Sequence, residues 1–200
     1  MKNAIFLLLV LTSILTAGLD FGGEYHYELN DKAKLRVTTL EKVLQKYGKP
    51  QERYDIKAGI SEYVILRYYM TDVDFFTGKG RGSLLEFRDG VLIAYLFGSN
   101  YDKDTSIFDF EATNTIKVGQ HLEEVIKKLG KPNGKSICPI NAGHFRGFCK
   151  KGKYAYAWAY ADRYGMMEES EMSIRAFLVS VDANGTVVEI NKEKILAKDW

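Results

Sequence analysis

Few side chains in this sequence fall in patterns that could make or break bonds. The three histidines, His26, His121 and His144, are far apart in the chain. His121 stands just before Glu123 and Glu124, a grouping that could move a proton. The same residues suit a helix start, where acidic side chains meet the positive end of the helix dipole. Residues 75–83, Phe-Phe-Thr-Gly-Lys-Gly-Arg-Gly-Ser, have the glycine and cation content of a phosphate loop. Strand-like sequence flanks them on both sides, whereas a phosphate loop joins a strand to a helix. They read as a hairpin tip. No Gly-x-Ser-x-Gly elbow, His-Glu-x-x-His pair or P-loop occurs. A non-enzymatic protein with no catalytic residues, no cofactor and no metal is the expectation.

The two cysteines offer different chemistry. The N-terminus has a short positive start at Lys2, an apolar run over residues 4–15 and the small residues Thr16, Ala17 and Gly18. That is the form of a cleaved export signal, too short to span a bilayer comfortably. No Cys follows the small residues, so the leader carries no lipid-attachment signal. A periplasmic or secreted mature chain is expected, and disulfides persist there. Cys138 and Cys149 fall in one loop-like stretch, and a disulfide there contributes roughly 2–3 kcal/mol. The alternative, a metal pair, would have only His144 to add, and two Cys with one His make a poor zinc site.

Binding chemistry is the stronger signal. Residues 154–161 alternate tyrosine or tryptophan with alanine. On a strand, successive side chains point to opposite faces. Tyr154, Tyr156, Trp158 and Tyr160 then share one face and four alanines the other. Either the alanines face the helices and the rings line an open sheet surface, or the rings form the core. Just before this stretch, residues 127–153 carry Lys127, Lys128, Lys131, Lys135, Arg146, Lys150, Lys151 and Lys153 and no Asp or Glu. Such a run is either a solvated surface or an attraction for an acidic partner or an anionic lipid. The net charge of +2 is too small to imply nucleic acid.

Two short helices and several hairpins must position these residues. Leu40, Val43, Leu44 and Tyr47 fall on one helical face, with Thr39 as N-cap and Gly48 and Pro50 as the stop. Leu122, Val125, Ile126 and Leu129 repeat the spacing, and Gly130 and Pro132 repeat the stop. Leu40, Glu41, Val43, Lys46, Gly48, Lys49 and Pro50 match Leu122, Glu123, Val125, Lys128, Gly130, Lys131 and Pro132, an internal repetition. After the first helix come a strand-like run at 63–70 and a hairpin over 84–97 turning at Asp89-Gly90. After the second come the aromatic strand and a hairpin over 174–190 turning at Asn184-Gly185. Residues 108–116 suit a short helix. The sequence predicts an α+β protein of two tandem helix-plus-antiparallel-sheet repeats, with the helices on one face of the sheets. Its parts are a signal peptide at 1–18, a first repeat with an N-terminal leader at 19–97, a linker at 98–107 and a second repeat at 108–200. His26, in the leader, reads as a solvent-facing strand residue.

The motif over residues 118–132, with its Glu-Val-bearing helix closed by Leu-Gly-Lys-Pro and followed by strands and a hairpin, resembles the BamE/OmlA domain. The tandem arrangement looks like the β-lactamase inhibitory protein fold. In that fold one Cys follows the helix-ending Gly and another precedes a Tyr-Ala-rich strand, the places that Cys138, Cys149 and residues 154–161 occupy here. The resemblance implies a protein partner docked on the concave sheet. A non-catalytic interaction module is therefore expected, binding an envelope or secreted protein through Tyr154, Tyr156, Trp158 and Tyr160, with Lys150, Lys151 and Lys153 beside them. Inhibition of a secreted enzyme, and binding of envelope lipid or cell-wall fragments, are the alternatives.

Overall fold

The computed structural model describes residues 32–69, 81–99, 109–143, 145–146, 149–164 and 171–196, and among them no side chain at 69, 81, 160–164, 171–175 or 193–196. The signal peptide, the leader with His26, residues 75–80 of the glycine-rich segment, most of the 98–107 linker and His144 lie outside the described residues.

Both amphipathic segments form helices at the expected places. Helix α1 spans Leu40–Tyr47 and helix α2 spans Leu122–Leu129. Thr39 caps α1, its hydroxyl accepting from the Lys42 N–H at 3.4 Å. Gly48 and Gly130 end the helices at φ 72° and 80°, a backbone region that favours glycine. Two-turn helices are marginal in isolation, so packing must hold them. Val43 and Tyr47 bury against Val64, Leu66, Leu85 and Phe87. Val125 and Leu129 bury against Trp158, Phe177 and Val179. Within 109–116 a five-residue 3-10 helix forms at Glu111–Thr115.

Among the described residues the strands are β1 (Glu52–Ala58), β2 (Ser61–Tyr69), β3 (Arg81–Arg88), β4 (Val91–Ser99), β5 (Gly134–Ile137), β6 (Tyr154–Tyr164), β7 (Glu171–Val181) and β8 (Val187–Leu196). They form one antiparallel sheet in the order β1 to β8. This overturns the expected two tandem helix-plus-sheet repeats. The cause is β5. Gly134, Lys135 and Ser136 pair with β4 on one side, and all of Gly134–Ile137 with β6 on the other, so these strands join one sheet. Asp89 and Gly90 both take positive φ, 51° and 77°, as a tight hairpin turn matching strand twist requires.

The register places both helices on one sheet face. Across that face run Leu66, Leu85, Tyr95, Lys135, Tyr156 and Val179, each paired with the next. At its centre the other face carries small side chains: Ala94, Ser136, Ala155 and Ser180 form one row, and Gly134 and Ala157 lie between Leu96 and Leu178 in another. Cys138 and Cys149 are joined, with Cα atoms 5.9 Å apart. Their loop packs Ile140 and Phe145 against this second face. Glu86 is fully buried beneath the loop, and its carboxylate accepts from the Phe145 N–H at 3.0 Å.

Tyr68 ties α1 to the sheet, its hydroxyl donating to the Gly48 carbonyl at 2.9 Å. Burial pushes its pKa up to about 12 from 10.0. The fold therefore favours the neutral phenol. The stabilisation is intact below pH 10 and is lost as pH rises through about 12, on the order of 2 kcal/mol in all. Urea unfolding between about pH 9 and 12 should show Tyr68→Phe losing less stability than the wild type. Parallel losses would remove this assignment.

Candidate functional site: a lysine-centred tyrosine saddle

The tyrosine–alanine strand forms as β6, and its faces settle which set of side chains is core. Trp158 is 1% exposed. Its indole N–H donates to the Gly130 carbonyl, the end of α2, at 2.8 Å. Phe177 lies beside it with ring centroids 6.2 Å apart. The ring face of β6 is thus the helix face, and Trp158 is core rather than binding surface. The alanines face away from the helices, and Ala155, Ala157 and Ala159 are buried. Tyr160 pairs with Arg175 in the sheet, and its side chain lies outside the description.

Tyr154 and Tyr156 differ from Trp158 because α2 covers them only in part. Both are half-buried at the margin of the core that α2 covers. Across β5 from Tyr156 lies Lys135, and across β4 from Lys135 lies Tyr95. Tyr95 is half-buried at the margin of the α1 core and stacks on Phe97 with centroids 5.0 Å apart. Tyr95, Lys135, Tyr154 and Tyr156 therefore occupy a saddle between the two helix-covered cores.

Lys135 organises the saddle. Its ammonium lies 4.8 Å from the ring centroid of Tyr154 and 4.8 Å from that of Tyr156. Lys153 approaches Tyr154 from another side at 5.7 Å. Cations over ring faces are held by the ring quadrupole, for about 0.5–2 kcal/mol each. Among the described residues neither Lys135 nor Lys153 forms an ion pair with a carboxylate. Burial raises the Tyr95 pKa, and the neighbouring Tyr156 raises it further. The Tyr95 phenol thus stays a neutral hydrogen-bonding group at ordinary pH.

Lys127, Lys128, Lys131, Arg146, Lys150, Lys151 and Lys153 are exposed. Lys150 and Lys151 are partly spoken for. Their backbone N–H groups donate to Glu189 at 3.0 and 3.2 Å. Burial works to raise the Glu189 pKa but is outweighed by these two amides, the Asn191 side chain and the Lys150 charge, and the net shift is downward.

His121 has a structural role. Its Nδ1 accepts from the Glu123 N–H at 3.5 Å, capping α2, while its Nε2 lies 3.0 Å from the Asn184 carbonyl. A carbonyl only accepts, so the proton sits on Nε2. The ring links the helix start to the β7–β8 turn, and Glu123 and Glu124 point into solvent. Among the described residues no three His, Cys, Asp or Glu side chains gather as a metal site would require.

Sequence reasoning missed Tyr95 and placed Lys135 only within the basic stretch at 127–153. Tyr95 lay inside a hairpin read only as strand, and Lys135 lay in a stretch with no strand pattern. A signal for Tyr95 was present: Tyr95 and Phe97 share the strand face opposite Leu96.

No known protein family matches the sequence, and no curated protein does. Among solved structures, the chain is similar to a "putative beta-lactamase inhibitor protein" from Streptococcus mutans, at 14% identity and a TM-score of 0.44 over 82% of this chain and 91% of that one.

Proposed function

We propose that this is a non-catalytic binding protein of the periplasm or the extracellular space that docks an acidic protein partner on the tyrosine saddle. One observation carries the reading: the ammonium of Lys135 sits across two tyrosine rings and pairs with no carboxylate among the described residues. Tyrosine is favoured at binding surfaces because it offers rigid apolar area and a polar tip. A half-buried cation among such rings is poorly solvated, so an incoming carboxylate gains more from it than from an exposed lysine. Lys153 beside Tyr154 adds a second, exposed cation that would attract an acidic partner. The Cys138–Cys149 disulfide supports an oxidising compartment.

The test is affinity capture from envelope extract and culture fluid, using the wild type, Tyr156→Ala and Lys135→Glu. A specific partner should be retained by the wild type and lost with both variants, each weakening binding by roughly 2 kcal/mol or more, about thirtyfold. Retention should fall as salt rises. Unchanged retention by Lys135→Glu, with the variant folded by circular dichroism, would exclude the saddle as the docking site.

A further inference from the structure

Strand β1 is one edge of the sheet, and no described residue forms a strand on its outer side. It is also exposed on both faces. Tyr54 and Ile56 are 44% and 36% exposed on one face, and Arg53, Asp55 and Lys57 are exposed on the other. Ile60, in the turn that follows, is fully exposed. Protein sheets commonly blunt such edges with charge, because a free row of N–H and C=O groups is a template for another strand. Here the charges alternate in sign, Arg53, Asp55, Lys57, and repel another strand only in some registers.

The backbone sets which residues can pair outward. The Asp89 N–H donates to the Glu62 carbonyl, so Glu62 turns its polar groups toward β3. In an antiparallel ladder these directions alternate along a strand. Tyr63 therefore turns toward β1 and bonds with its partner Ile56. By the same alternation Arg53, Asp55 and Lys57 direct their N–H and C=O groups away from the sheet.

We infer that β1 pairs antiparallel with β1 of a second copy of this chain, about a two-fold axis at Ile56, joining the two sheets into one. In that register Ile56 lies opposite Ile56 of the second copy. Asp55 lies opposite Lys57 of the second copy, twice by symmetry. Tyr54 lies opposite Ala58, also twice. One face of the junction is an unbroken apolar stripe, and the other carries opposite charges directly across the ladder, where such pairs are favourable. The existing contacts of Asp55 with Arg53 at 2.7 Å and of Lys57 with Glu62 at 3.6 Å extend this into a row of alternating sign. Moving the axis to Asp55 would set Asp55 against itself and Arg53 against Lys57, so charge selects against that neighbouring register.

The experiment is sedimentation velocity of the purified chain over a wide concentration range. The dimer should grow with concentration. Asp55→Lys, an exposed change that leaves the fold intact by circular dichroism, should weaken association roughly tenfold or more, since two like-charge oppositions are created. Asp55→Lys with Lys57→Asp should restore it, because each new lysine again faces an aspartate. Ile56→Cys should cross-link across the axis under mild oxidation. A monomer at all concentrations overturns the proposal. So does a dimer indifferent to Asp55→Lys, or one that the double exchange fails to rescue.

Discussion

Trp158→Ala should cost about 3–5 kcal/mol of stability, the range for removing a fully buried large aromatic. Trp158 is among the largest fully buried side chains described, seated between α2 and the sheet. Its loss leaves a cavity beneath a helix only two turns long, so there is little other packing to hold α2 in place. It also removes the indole donor of the Gly130 carbonyl. Trp158→Phe separates these effects: it keeps most of the ring volume and removes the N–H, for an expected cost of about 1–2 kcal/mol. Tyr156→Ala, two residues away on the same strand face, should cost less than Trp158→Ala, because its ring is only half-buried. Urea unfolding followed by far-ultraviolet circular dichroism gives all three values. Similar costs for Trp158→Ala and Tyr156→Ala would contradict the division between core and saddle drawn here.

That division shows where the sequence was legible. The alternation of 154–161 determined that the rings share a face, and the strand is there. It could not determine which face the helices cover, because alanines and aromatic rings both pack against helices. The two helices were readable from apolar spacing, caps and terminal glycines, and they formed at those places. The junction between the halves was not readable. β5 is four residues long, contains Gly134 and Ser136, and has no alternating pattern. Its backbone partners on both sides, not its own propensity, make it a strand. The sheet is thus continuous through a segment that carries almost no local signal. β1 was missed for a related reason. Its residues, Glu-Arg-Tyr-Asp-Ile-Lys-Ala, are charge-rich, and the short Tyr54, Ile56, Ala58 alternation stays largely exposed. The saddle combined two such cases. Tyr95 and Lys135 matter because cross-strand register brings them beside Tyr156, and register belongs to the assembled sheet.

Replacing both Cys138 and Cys149 by alanine should cost about 3 kcal/mol on the chain-entropy account of a short closed loop. The cross-link joins positions with a sequence separation of 11. Its removal mainly frees the unfolded chain, but it should also loosen a folded part. The loop holds Ile140 and Phe145 on the alanine-lined face and places the Phe145 N–H on the buried carboxylate of Glu86. A buried carboxyl group left without this donor is costly, so opening the loop must admit water to Glu86. The double alanine variant should therefore show two changes. Urea unfolding should shift to a lower midpoint, and amide exchange at Phe145 should quicken more than at core positions such as Leu85 or Leu178, which exchange through wider opening. Dithiol reduction of the wild type should reproduce both. Quicker exchange at Phe145 with an unmoved midpoint would mean that the bond orders only the cover. A lower midpoint with Phe145 still protected in the native state would mean that Glu86 and the apolar contacts hold the loop unaided, and that the cross-link acts on the unfolded chain alone.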